Sequence, residues 1–420
     1  MGKIRKFLKI LGPGFVTGAS DDDPSGIATY SQTGAQFGYS QLWTALFTYP
    51  FMVAVQEMCG RIGTVTGRGL AVVIRENYSK KILYFCVFLL LVANTVNIGA
   101  DLGAMASAGQ LLLDFPFIGW LFVMTLVTIF LEVFVSYKTY ARYLKYLTFS
   151  LFAYFISAFV IGQDWGQVLY LTFVPHLSFT REYVLNLVAI LGTTISPYLY
   201  FWQTDEVVEE EVAHGQLKAM DEGKPKFGKR SLENMRLDTV FGMLFSNLVM
   251  LFIILVSAST LGAQGISNIE TAAQAAEALK PLAGDFTFLL FAAGILGSGL
   301  LAVPILAGSA SYALAETFGW KEGLSRKFSQ AHGFYIVIII ATLIGLLVNF
   351  TPIKPFKMLY YTAILNGICA PILLAVILMI SNNKKILGEY VNTPVSNILG
   401  GIITLVMAVA AITLLVSFIF

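Results

Sequence analysis

Apolar runs of membrane-crossing length, separated by short polar stretches, repeat along the whole chain. About 20 apolar residues cross a bilayer as a helix. On that measure the pattern predicts eleven spans, at roughly 11–37, 42–64, 82–113, 117–137, 141–162, 183–205, 237–262, 286–316, 330–350, 356–380 and 396–419. Loops between them are short except 163–182, 206–236 and 263–285. No separate soluble domain is predicted: residues 1–420 read as one all-α membrane domain.

Two spans are interrupted. The first contains "SDDDPSG", residues 20 to 26, and the sixth contains "LGTTISPY", residues 191 to 198. Proline removes a backbone donor and crowds the preceding turn, and carboxylates do not belong in a helix surrounded by lipid. Irregular backbone at membrane depth survives only where it is buried in protein or lines a cavity. Breaks at matching places five spans apart point to inverted repeats with a substrate site between them. The first repeat is expected at about 11–162, the second at about 183–380, and an additional helix at about 396–419. Asp23 stands before Pro24, where it can cap the second half-helix. A cap explains one aspartate and not three, and an acidic pocket with free backbone carbonyls suggests a bound cation.

Composition agrees with a membrane protein: 57% of residues are hydrophobic, 12% are charged and mean hydropathy is +0.75. The net charge of +2 and the scattered basic residues offer no nucleic-acid surface. Cys59, Cys86 and Cys369 lie in apolar stretches at no metal-ligand spacing, and the three histidines form no metal motif. No cofactor and no obligatory protein partner is expected beyond the lipid bilayer and a transported ion. The basic N-terminus is followed by no small-residue cleavage site, so no cleaved signal peptide is read. With the N-terminus placed inside, the outer loops hold only Arg181, Lys280, Lys354 and Lys357, and the other 23 of the 27 Lys and Arg residues are cytoplasmic. The positive-inside rule then predicts a multi-pass protein of the cell membrane with a cytoplasmic N-terminus.

Further polar residues fall inside spans. Glu57 and Arg61 have ion-pair spacing on a helix. Asn97 and Asp101 share a helix face, which suggests a polar pathway or gate. Glu132 faces either the bundle or the interface. Thr362 and Asn366 share a face that can turn to the site or serve core hydrogen bonding. The acidic run "TDEVVEEEVAH", 204 to 214, is expected to be a solvated helix face, with a cation-attracting vestibule as the sharper alternative.

The motifs "GPGFVTG" and "DPSG" in the first span, "QEMCGRIGTVTGRGLA" in the second, "DLG" in the third and "LGTTISPY" in the sixth occur in one order. In these the chain resembles the Nramp metal-ion transporters over nearly its whole length. The resemblance implies the leucine-transporter type of fold, a 5+5 inverted repeat with helices 1 and 6 unwound. The family's Asp-Pro-Gly-Asn motif reads Asp23-Pro24-Ser25-Gly26 here, so the asparagine ligand is replaced by Gly26. Aligned by the proline of the sixth span, the alanine whose carbonyl binds metal is Thr193. The methionine is Ser196 and the histidine is Tyr198. In the third span Asp101 remains and the glutamate of the family's proton route is Ala104.

The resemblance thus implies a metal site at Asp23, Gly26, Thr193 and Ser196. Asp21, Asp22, Asp101, Tyr198 and Asn366 are expected in the pathway or behind the ligands. A hydroxyl in place of a thioether and Gly26 in place of asparagine are expected to make the site harder and roomier, which suits a partly hydrated Mg²⁺ with oxygen ligands. This pattern is similar to the Nramp-related magnesium transporters. The expected function is import of Mg²⁺, and of Mn²⁺, by alternating access without proton coupling. A proton-coupled Mn²⁺ or Fe²⁺ symporter is the first alternative. A Na⁺-coupled symporter of organic solutes with the same fold is the second, and its anionic substrates would be repelled by three aspartates. No nucleophile–base constellation suggests an enzyme.

Overall fold

A computed structural model describes residues 12–135, 149–220 and 222–417. Helices dominate them. In chain order they are α1 (Pro13–Asp21), α2 (Pro24–Phe37), α3 (Trp43–Thr66), α4 (Leu70–Asn77), α5 (Lys80–Leu112), α6 (Phe117–Phe134), α7 (Phe152–Val160), α8 (Trp165–Phe173), α9 (Arg181–Thr194), α10 (Pro197–Ala213), α11 (Lys229–Thr260), α12 (Thr287–Phe318), α13 (His332–Val348), α14 (Pro355–Ser381) and α15 (Pro394–Ser417). Short turns of helix join α11 to α12 and α14 to α15. Every predicted span coincides with a helix or a pair of half-helices. The start of the fifth, 141–148, lies outside the described residues, as do the basic residues of the N-terminal segment.

Among the described residues, seven helical stretches are individually long and apolar enough to cross a membrane. The rest fall short for local reasons. α1 and α2 are halves of a broken span, α13 has 17 residues, and α3 carries Gln56, Glu57 and Arg61. Large apolar side chains point outward where lipid would lie, among them Leu126, Phe130 and Phe134 on α6 and Ile398, Leu405 and Ile412 on α15. Such a surface suits hydrocarbon and is unusual in water.

The loops hold more structure than the pattern predicts. α8 lies in the 163–182 loop and α4 in the loop after the second span; α4 buries Leu70 to Ile74 against the bundle. Both are too short to register as spans. The acidic run is a correction. Asp205, Glu209 and Glu211 are buried, not solvated, because α10 continues to Ala213 and packs against α12. The Tyr312 hydroxyl of α12 donates to Glu209 Oε1 at 2.8 Å.

α11 packs along both halves of the broken first span. The contact is backbone on backbone: a methyl group added to Gly18 would lie 2.2 Å from the Gly242 carbonyl oxygen. α9 meets α14 in the same way, since a methyl group at Gly192 would lie 2.0 Å from the Ala363 carbonyl oxygen. Small residues permit such approach between membrane helices. The result holds both breaks at the centre of the bundle, with α5 packed against α12 and α14 on the opposite side. Glu57 and Arg61 form the expected pair at 3.1 Å, and Glu57 also accepts from Arg236 at 2.8 Å. Arg61 donates onward to the Tyr390 carbonyl and to Asn392. The pair ties α3 to α11 and to the segment before α15, so it is structural. Glu132 faces the bundle, 3.5 Å from the Thr342 hydroxyl of α13.

Candidate functional site

The first break follows from its residues. Asp22 leaves helical geometry at φ −85°, ψ 45°, and Asp23 is extended at φ −66°, ψ 172°. Pro24 then starts α2 with its fixed φ and no donor to satisfy. Asp23 Oδ1 accepts from the Gly26 amide at 2.7 Å and from the Ser25 hydroxyl at 2.6 Å, so Asp23 is the N-cap of α2. Its other oxygen accepts from Asn97 Nδ2 of α5 at 3.0 Å. Asp23 is thereby aimed at α5, the face that carries Asn97 and Asp101.

Asp21 and Asp22 face a different helix. The Ser246 hydroxyl of α11 lies 2.6 Å from Asp21 Oδ2 and 3.4 Å from Asp22 Oδ1. The three aspartates therefore do not converge on one point. No group of three or more His, Cys, Asp or Glu among the described residues stands close enough to share a bare ion. All three are at most 1% exposed, and so is Asp101. Asp21 Oδ1, Asp22 Oδ2 and both oxygens of Asp101 accept no hydrogen bond. None of the ion pairs among the described residues includes any of these four carboxylates. Taking a charge out of water without a partner costs several kcal/mol, so these carboxylates either take up protons or serve a cation.

The second break lies at Ile195 and Ser196, where α9 ends and Pro197 starts α10. The Ser196 hydroxyl turns back to the carbonyls of Gly192, at 2.7 Å, and Thr193, at 2.9 Å. The two breaks meet. Thr193 Oγ1 lies 3.4 Å from the Ser25 hydroxyl, and the Tyr198 hydroxyl donates to the Ser20 carbonyl at 3.0 Å. Asn366 is buried at the same level, next to the Gly367 that touches Gly192, and its Nδ2 has no hydrogen-bond partner.

Two expectations change. Several carbonyls at the breaks are not free: Ser20 and Ile195 accept from Tyr198 and Tyr200, and Thr193 accepts from Ser196. Hydroxyl groups hold the places that a cation's ligands would need, and each exchange costs only about 1 kcal/mol. Nor does Gly26 leave room in this conformation. A methyl group there would lie 3.1 Å from the Asp21 carbonyl and 3.3 Å from the Tyr30 ring. With Asp23, Thr193, Ser196 and Tyr198 at most 2% exposed, the centre is sealed on both sides.

Sequence reasoning missed Ser246, Tyr30 and Asp238. Ser246 is a single hydroxyl in an apolar run, and its contact with Asp21 spans 225 residues. Asp238 accepts from the Gly12, Gly14 and Phe15 amides at 2.8, 2.7 and 3.0 Å and so satisfies the N-terminus of α1. Its position as a lone acid at the start of the seventh span was the available signal.

Comparison with known proteins agrees with this architecture. The chain is 26% identical over 406 residues to the divalent metal cation transporter MntH of Caldanaerobacter subterraneus subsp. tengcongensis, covering 95% of this chain and 90% of that protein. It is 27% identical to the transporter of the same name in Clostridium acetobutylicum, covering 98% and 91%. Among solved structures it resembles the manganese transporter of Eremococcus coleocola, with TM-score 0.76, 16% identity and coverage of 98% and 87%. A nucleobase-cation-symport-1 family transporter shares the fold at TM-score 0.60 and 13% identity, covering 96% and 91%. The family model described as natural resistance-associated macrophage protein-like matches residues 14–417, and the chain belongs to that family, as a divalent metal cation transporter of the Nramp type.

Proposed function

We propose that this protein imports Mg²⁺, and also Mn²⁺, by alternating access and without proton coupling. Asp23, Gly26, Thr193 and Ser196 form the metal site. Asp21, Asp22, Asp101, Tyr198 and Asn366 line the pathway or stand behind the ligands. The observation that carries the reading is the oxygen-only meeting of the two breaks, with Ser25 and Thr193 hydroxyls 3.4 Å apart beside the Asp23 carboxylate. Oxygen donors suit a hard cation that keeps part of its water, whereas a thioether would favour softer metals. The site is closed here, so binding requires the hydroxyl caps to turn away from the carbonyls. The repeats run over about 11–162 and 183–380, each contributing one broken helix.

Uncoupled transport follows from Tyr198 and Ala104, which stand where the resemblance places a titratable histidine and a glutamate. Tyrosine ordinarily titrates near pH 10. In proteoliposomes loaded with a pH dye, Mg²⁺ and Mn²⁺ uptake is expected to leave the internal pH unchanged. Acidification that tracks Mn²⁺ uptake would favour the second reading, a proton-coupled Mn²⁺ symporter. The buried, unpartnered Asp101 is the group that speaks for it.

The proposed orientation puts the N-terminus in the cytoplasm, on the 23-to-4 division of basic residues. In a variant lacking Cys59, Cys86 and Cys369, a cysteine at Ser178 is expected to react with an impermeant thiol reagent added to intact cells. One at Lys224 is expected not to react. Labelling at Lys224 alone would reverse the topology.

A further inference from the structure

A cavity of about 380 Å³ opens where α10 ends and α11 begins, beside the N-terminus of α1. Its lining includes Glu210, Glu211, Asp238, His214 and Asn234, with no lysine or arginine among the described residues. Glu211 is 5% exposed, and both its carboxylate oxygens lack a hydrogen-bond partner. Glu210 and Asp238 face each other across Gly12: a methyl group there would lie 3.2 Å from Glu210 Oε1 and 3.5 Å from Asp238 Oδ2. These two carboxylates converge beside Gly12, and the third reaches the same cavity from one residue further along α10.

We propose that this cavity is a second divalent-cation site, on the cytoplasmic side, which holds the ion with its water shell. Carboxylates spaced too widely to share a bare ion can still accept hydrogen bonds from waters bound to it. Mg²⁺ gives up its waters reluctantly and is often held in this way. The cavity has room for such an ion, and the two Glu211 oxygens, which have no hydrogen-bond partner, can accept from its waters. The nine-residue helix α1 runs from Pro13 at the cavity to Asp21, about 12 Å at 1.5 Å per residue. The position makes it a landing place for an ion that leaves the central site inward. Asp238 belongs to the cavity and also holds the three amides at the N-terminus of α1, so an ion here sits against the helix whose other end forms the first break.

The inference rests on the divalent-cation reading, and its test separates the two. Purified full-length protein is titrated with millimolar Mn²⁺ and free Mn²⁺ is followed by its paramagnetic resonance signal. The wild type is expected to bind two ions. Asp23→Asn should bind one, and Glu210→Gln combined with Glu211→Gln should also bind one. Glu211→Gln alone, which costs the protein no hydrogen bond, is expected to weaken one of the two sites at least tenfold and guards against a folding defect in the double variant. If the double variant binds as many ions as the wild type, the second site does not exist and something other than a cation, such as the chain's own basic residues, neutralises the cavity. If Asp23→Asn keeps both ions while the double variant loses one, the cavity site stands and the central assignment fails.

Discussion

Asp23→Asn is expected to lower Mg²⁺ and Mn²⁺ uptake at least a hundredfold while the protein still folds and reaches the membrane. The hydrogen bonds at this position explain why the substitution isolates charge. An asparagine oxygen can still accept from the Gly26 amide and the Ser25 hydroxyl. Its amide would meet the Asn97 amide, but Asn97 Oδ1 has no partner, so Asn97 can turn over and accept instead. The cap and the link to α5 survive, and one negative charge is gone. A hundredfold loss corresponds to about 2.7 kcal/mol, well within what a desolvated charge contributes to a cation beside it. Asp21→Asn and Asp22→Asn are expected to cost less, because both carboxylates face Ser246 on α11. Uptake into proteoliposomes, with size-exclusion profiles as the folding control, decides the matter. Wild-type uptake by Asp23→Asn would leave Asp23 as a helix cap and nothing more.

Ser196→Met is expected to shift selectivity from Mg²⁺ towards Mn²⁺ and Cd²⁺ by about tenfold, or about 1.4 kcal/mol. A thioether gives the softer ions a ligand that Mg²⁺ scarcely uses. The hydrogen bonds lost are local, since the Ser196 hydroxyl bonds to the Gly192 and Thr193 carbonyls at the end of α9, and the larger side chain at this buried position costs about 1–3 kcal/mol of packing. Gly26→Asn would complete the ligand set that the wider family resemblance implies. It belongs second, because even a methyl group there crowds the Asp21 carbonyl, the Tyr30 ring and the Thr193 hydroxyl. The measurement is competition by Mg²⁺ against Mn²⁺ uptake, wild type beside variant. Equal competition in two well-folded proteins would remove Ser196 from the selectivity filter.

The breaks at Asp22–Asp23 and Ile195–Ser196 were legible because proline and glycine act on the backbone locally, within a few residues of where they stand. So were the spans, since lipid imposes one length on each of them. Helix α4 was not, because eight residues carry no membrane-scale signal. The acidic run 204–214 misled for a related reason. Charge density reads as solvent exposure, yet Glu209 finds Tyr312 on a helix more than 100 residues away, and no local pattern announces that. The same holds at the site. Asp23 and Asn97 were visible as separate polar residues inside apolar runs. Their contact, and the division of three adjacent aspartates between α5 and α11, depends on how the bundle closes.

Four buried carboxylates at the centre of the bundle with no basic partner among the described residues have an electrical consequence. A divalent ion crossing the full membrane field releases about 2.3 kcal/mol per charge for each 100 mV, or about 4.6 kcal/mol in all. That energy alone sustains accumulation on the order of a thousandfold, so a carrier without proton coupling still concentrates its ion in a cell that is negative inside. The same charges make the return journey sensitive to voltage. An empty carrier that keeps its aspartates ionised carries net negative charge back through the field, and the inside-negative potential that draws the ion in also pushes that carrier outward, ready for the next one.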